Sequence, residues 1–191
     1  MVREADKGVT LSLVADTVRR DLEIAFADRA RLDIGASSTL RVSHGSAAGN
    51  KVSLTLDSEA TSVLGGTVFV GSNNGRGEMY LKRGRAEIGD YGLTVGGMGY
   101  TSSVAGVTPV GLVEVSGGSL DVKGGNMGGS TQERLCGIVV GSSQYTGGDK
   151  MPEHADGELV LTAGVITNRS GHTVVGFGRA DGRVVISGGS F

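Results

Sequence analysis

A register of glycines and aliphatic residues, held over four copies, constrains this chain more than any other feature. Gly77, Gly111, Gly157 and Gly182 each precede a second glycine by seven residues: Gly84, Gly118, Gly164 and Gly189. Between them stand Met79 and Leu81, Val113 and Val115, Leu159 and Leu161, and Val184 and Ile186. Two residues past the second glycine come Ala86, Leu120, Ile166 and Phe191. Upstream of each block is a Val-Gly pair: Val70-Gly71, Val95-Gly96, Val140-Gly141 and Val175-Gly176. Leu54, Leu56, Thr61 and Val63 lie 25 residues before Met79, Leu81, Ala86 and Ile88, extending the register to a fifth copy with Glu59 where Gly84 stands later. The shortest complete repeat, Gly71 to Gly96, is also 25 residues, and the next two intervals, 45 to Gly141 and 35 to Gly176, carry insertions.

A period of this length means stacked units. Each unit holds three short alternating segments bounded by glycine or polar turns, and no helical stretch. The expected fold is therefore all-β: a single-stranded right-handed parallel β-helix (a solenoid) of about five to six coils, with a minimum repeat of 25 residues. Alternation sends Val68, Val70, Met79, Leu81, Ala86 and Ile88 inward as aliphatic columns, and Phe69, Glu78, Tyr80 and Lys82 outward. Asn168 interrupts the third column, where Ile88 and Val122 stand, and predicts either an interior ladder or a local bulge. The two prolines fall outside the expected strands: Pro109 in the insertion 97–110 and Pro152 in the insertion 142–156. Proline cannot donate to a ladder, so that placement fits. Both insertions replace one short corner, while a third excursion, 125–137, leaves a different one. An antiparallel sandwich or a propeller is the rival architecture, but neither requires equivalent residues at one fixed offset in successive units.

The amino-terminal region is less regular. Strands are expected at Thr10–Val14, Leu22–Phe26 and Leu32–Ile34, with a short helical cap over the first turns as the alternative. Residues 1–38 thus form a capping or first-coil region, and 39–191 the repeats.

Composition excludes several function classes. A net charge of −2 with mixed signs gives neither a nucleic-acid footprint nor a polybasic membrane patch, and no apolar run is long enough to span a bilayer. The single cysteine, Cys136, has no partner for an internal disulfide and reads as a small packed residue. Met1 to Lys7 is charged and no signal-like apolar core follows, so the chain is either cytoplasmic or an excerpt from a longer precursor.

The pattern V-G, turn, G-x-φ-x-φ-x-x-G-G-x-φ (φ apolar) resembles the repeats of large bacterial surface and secreted β-helix proteins, namely autotransporter passenger domains and the β-strand repeats associated with PEP-CTERM sorting signals. Gly182-Arg-Val-Val-Ile-Ser-Gly-Gly-Ser-Phe191 and Gly111-Leu-Val-Glu-Val-Ser-Gly-Gly-Ser-Leu120 carry it best, and the likeness spans 67–191. It implies an extracellular or cell-surface location, a stalk or adhesive scaffold rather than an enzyme, and further coils of the same polypeptide beyond Phe191. An uncapped solenoid end also invites end-to-end self-association.

Chemistry-bearing residues converge in one place. Insertions leaving the same corner of successive coils should lie side by side, gathering Tyr100, Tyr145, Asp149, Glu153, His154, Asp156, Arg179 and Asp181 along one edge. Tyrosines that stack on sugar faces and carboxylates that accept hydroxyls would suit a polysaccharide; a host or surface protein is the other expected partner. The alternative function is a carbohydrate-active enzyme or binding module on that edge, around 97–110, 142–156 and 177–181, with Asp156 and Asp181 as an inverting pair. No residue is assigned a catalytic role. Glu153-His-Ala-Asp156 lacks the paired spacing of zinc sites, so no metal and no cofactor are expected.

Overall fold

The computed structural model describes residues 10–13, 22–34, 38–43, 50–72, 75–89, 91–97, 108–124, 136–143, 154–169 and 172–191. In chain order they fall into six tiers. The first holds β1 (Thr10–Leu13), β2 (Leu22–Asp28) and β3 (Asp33–Ile34); the second holds β4 (Thr39–Val42) and β5 (Lys51–Leu64). The third is β6 (Thr67–Ser72) and β7 (Arg76–Ile88), and the fourth is β8 (Gly92–Gly97), β9 (Val110–Val115) and β10 (Ser119–Val122). The fifth is β11 (Cys136–Ser142), β12 (Ala155–Leu161) and β13 (Val165–Asn168), and the sixth β14 (His172–Phe177) and β15 (Ala180–Ile186). Among the described residues there is no helix, and β1, β2 and β3 agree with the amino-terminal strands expected from sequence; residues 14–21, where the helical alternative would begin, lie outside the described residues.

One strand from every tier joins a six-stranded sheet in the order β1-β4-β6-β8-β11-β14, and the other nine strands form the second sheet, which branches at the long strands β5 and β7. All the strand pairings among the described residues are parallel. The register follows the repeat: Met79 faces Val113, Val113 faces Leu159 and Leu159 faces Val184. The molecule is all-β, built of parallel strands in stacked sheets, and is consistent with a β-solenoid.

Period-two alternation explains the core. Val42, Val70, Val95 and Val140 stack in successive strands of the first sheet, and Leu54, Met79, Val113 and Leu159 in the second; all eight are fully buried. Each such side chain contributes roughly 1.5–3 kcal/mol by leaving water. The corner that links the sheets needs glycine for two reasons, seen at Gly96. Its φ is 60°, and a Cβ there would lie 1.7 Å from the Asp156 carbonyl oxygen of the tier above.

Three expectations change. The fifth copy of the register slips by one residue: Leu54 and Leu56 face Met79 and Leu81, but Thr61 faces Arg85 and Val63 faces Glu87. Ser62 pairs with Ala86, and Leu64 rather than Val63 enters the core. The cause is the missing glycine. Gly84 turns its corner at φ 72°, whereas Glu59 cannot do so cheaply, and the corner of β5 spends an additional residue. Ser58 Oγ fills in there, accepting from the Ala60 N–H at 3.2 Å and donating to the Asp28 carbonyl at 3.0 Å.

The second change concerns the outer face. Lys82 is exposed as expected, but Phe69 and Glu78 are only 1% and 2% exposed. Both lie on outer positions and are covered by side chains of the neighbouring tier: the Arg41 guanidinium sits 5.2 Å from the Phe69 ring centroid, a cation–π contact, and Lys51 closes over Glu78. Thirdly, Asn168 makes no bulge. It keeps register opposite Val122 and turns its amide to Thr173, with Nδ2 donating to Oγ1 at 3.2 Å.

Candidate functional site

The corner between the two sheets carries a repeated triplet, and this triplet builds the site. Arg76-Gly77-Glu78, Val110-Gly111-Leu112, Asp156-Gly157-Glu158 and Asp181-Gly182-Arg183 lie at the starts of β7, β9, β12 and β15 and pair in strict register. Alternation points each central glycine inward and both neighbours outward. Two rows of side chains thus run across the strands, with glycine backbone between them. Together they line a shallow groove along the stacking direction, basic and acidic at Arg76 and Glu78, apolar at Val110 and Leu112, then acidic at Asp156, Glu158 and Asp181 before Arg183.

At the acidic end the structure brings together three of the residues singled out from sequence. Asp156 and Asp181 are partners in adjacent strands, and His154, immediately before β12, points Nε2 at both: 2.7 Å to Asp156 Oδ1 and 3.2 Å to Asp181 Oδ2. One donor atom from each of the three lies within 4.8 Å of the others, so a single cation could touch all three. The cluster is open, with the Asp181 side chain 85% exposed. Arg179 stands at the same corner and contributes through its backbone, whose N–H donates to Ser143 Oγ. Tyr100, Tyr145, Asp149 and Glu153 lie outside the described residues.

The groove's basic end is organised by a buried carboxylate. Glu78 accepts from Lys51 Nζ at 2.6 Å, Tyr80 Oη at 2.6 Å and an Arg76 guanidinium nitrogen at 3.1 Å. Burial is the largest influence on its pKa and raises it, but the hydrogen bonds from Lys51 and Tyr80 and the charges of Lys51 and Arg76 together hold it below the usual carboxylate range. Tyr80 responds in the opposite sense: burial and its bond to Glu78 push the phenol well up, so it stays protonated and donating.

A second network lies on the branch of the second sheet formed by β7, β10 and β13. Asp121 is 3% exposed and is clamped by Arg169 through two bonds of 2.7 and 2.9 Å, and by Arg85 at 2.5 Å. The Arg169 bonds are the main reason its pKa is lowered; burial opposes them. Arg85, Asp121 and Arg169 come from three different tiers, so the charges are fastened across the strands.

Sequence reasoning located the His154–Asp156–Asp181 edge but missed Arg76 and Arg183 as groove walls. The signal was present: a residue on each side of a glycine that recurs in register must project on the same face as its equivalents in the other units. No protein-family model, curated protein or solved structure matches the chain significantly.

Proposed function

We propose that this chain is a segment of a right-handed parallel β-helix that works as a rigid, non-enzymatic scaffold of a bacterial surface or secreted protein, with the groove along its corner as the ligand-contacting strip. The observation that carries the reading is the parallel register that recurs from tier to tier: aliphatic columns inside and ion pairs outside fasten each tier to the next, which suits a stiff rod better than a hinged catalytic cleft. The surface or secreted location and the bacterial origin rest on the resemblance of the repeats.

The groove suits a long polar ligand, a polysaccharide or an extended strand of a surface protein. It offers carboxylates and guanidiniums in rows, separated by the apolar step of Val110 and Leu112. The alternative, a carbohydrate-active enzyme or binding module on the same edge, draws support from the paired carboxylates. Two features weigh against an inverting pair there. Asp156 and Asp181 project side by side from one sheet, and their nearer oxygens are within 4.8 Å of each other, bridged by the shared histidine. An inverting pair faces across the sugar at roughly 6.5–9.5 Å.

The test is a thermal-shift screen against a panel of polysaccharides, followed by a reducing-end assay on every ligand that shifts the transition. Binding without release of reducing ends, weakened by Asp156→Asn with Asp181→Asn, is the expected result. Cleavage that disappears in either variant would replace the scaffold by an enzyme.

A further inference from the structure

Among the described residues, like charges face each other across neighbouring strands at three places, and two of them are resolved in the same way. Lys51 faces Arg76, and Glu78 accepts from both, at 2.6 and 3.1 Å. Glu87 faces Asp121, and Arg85 bridges them, joined by Lys123 on Glu87 and Arg169 on Asp121. In both cases side chains of fixed opposite charge hold two tiers together where the facing pair alone would push them apart. The third place is Asp156 facing Asp181. There the described ion pairs bring only His154, whose imidazole is charged only when protonated, and that single charge stands against two carboxylates.

The same three side chains form a set of metal donors, one imidazole nitrogen and two carboxylate oxygens within 4.8 Å of one another. His154 Nε2 lies 2.7 Å from Asp156 Oδ1 and 3.2 Å from Asp181 Oδ2. Ligands at about 2.0–2.1 Å from a tetrahedral zinc ion stand roughly 3.3 Å apart. The donors are therefore nearly spaced for zinc already, and the half-exposed side chains of His154 and Asp156 have room to turn. The absence of a zinc motif in Glu153-His-Ala-Asp156 concerned one strand alone; here the third donor comes from the next tier.

We propose that His154, Asp156 and Asp181 bind one zinc ion, with water as the fourth ligand, and that this ion supplies between the fifth and sixth tiers the clasp that fixed charges supply elsewhere. A divalent ion balances both carboxylates, which one imidazolium does not. A nitrogen with two oxygens suits zinc, whereas calcium takes about 6–8 oxygens and finds far fewer here. The inference is independent of what the groove binds, because it rests on the pairing of β12 with β15 and on His154 immediately before β12.

Calorimetric titration of the untagged, metal-free chain with zinc chloride alone tests it. The expected result is one zinc per chain, with Tm raised by roughly 5–10 °C at free zinc about 100 times Kd, and no response to calcium chloride. His154→Gln and Asp181→Asn should each weaken zinc binding by at least roughly tenfold, the loss seen even for groups that only support a ligand. His172→Gln, at an exposed position of β14, should leave both the affinity and the Tm rise unchanged. Circular dichroism of each variant without metal is the folding control, since none of these side chains belongs to the core. A chain that takes up no zinc, zinc binding indifferent to His154→Gln and Asp181→Asn, an equal loss in His172→Gln, or calcium bound as well as zinc would each overturn the proposal. With no polysaccharide present, a failed ligand screen leaves this result standing, and a failed zinc titration leaves the groove's ligand untouched.

Discussion

Replacing Gly157 by alanine adds a single methyl group, and the structure says where it would go. Gly157 does not have a positive φ, so backbone conformation is not the obstacle; space is. A Cβ at this position would lie 2.2 Å from the Val95 carbonyl oxygen and 2.3 Å from the Gly141 nitrogen. Both neighbours are backbone atoms held in parallel ladders, so neither can swing aside as a side chain would. Opening both gaps to an ordinary contact means moving the fifth tier by about 1 Å against the fourth and also parting β12 from β11 within the fifth, in an interior packed to crystal density. Overpacking of this kind costs about 1–3 kcal/mol, and an immovable backbone places Gly157→Ala near the upper end, at about 3 kcal/mol. For a chain of this length that lowers Tm by roughly 6–12 °C. Thermal unfolding followed by circular dichroism measures it, with Thr162→Ala on an exposed corner as the control expected to change Tm little. If the two variants melt together, the tiers do not approach each other at this corner as described, and the reason given for the glycine column fails.

Other perturbations report on other parts of the fold. Leu161→Asp puts an unpaired charge into a column where Leu161 is 1% exposed and should abolish cooperative unfolding, whereas Lys82→Asp on the exposed face should leave the urea midpoint nearly unchanged. Tyr80→Phe removes one hydrogen bond from buried Glu78 and should cost about 1 kcal/mol in urea denaturation. The carboxyls of Asp121 and Glu78 are both held below their ordinary range, so their contribution to stability is present above the unfolded pKa and is lost as pH falls through the folded one. Stability should therefore fall on acidification below about pH 4, and Asp121→Asn should flatten part of that fall while lowering stability at neutral pH. A pH-independent urea midpoint across the acid range would contradict both assignments.

The repeat was legible because burial imposes it. Columns such as Val113, Leu159 and Val184 must recur at equivalent positions if tiers stack, and the glycines recur because the corners leave no room for Cβ. The slip at Thr61 was not legible from a fixed offset, since the bulge that absorbs a missing glycine changes the count without changing the apolar alternation. Nor did alternation reveal that Phe69 and Glu78 would be covered. Period two assigns a face, but burial of an outer residue depends on what the next tier lays across it, here Arg41 and Lys51. The candidate site divides the same way. Equal corners predicted that Asp156 and Asp181 would be neighbours, and they are; that His154 would bridge them depended on the side-chain directions at the start of β12.

Stacking itself is tested most directly by methyl and amide nuclear Overhauser contacts among Val113, Leu159 and Val184. Parallel tiers predict Val113–Leu159 and Leu159–Val184 contacts, none between Val113 and Val184, and strand spacings of about 4.8 Å. Close Hα–Hα contacts between these strands, the mark of antiparallel pairing, or no contact between Val113 and Leu159, would contradict the architecture on which every other inference rests.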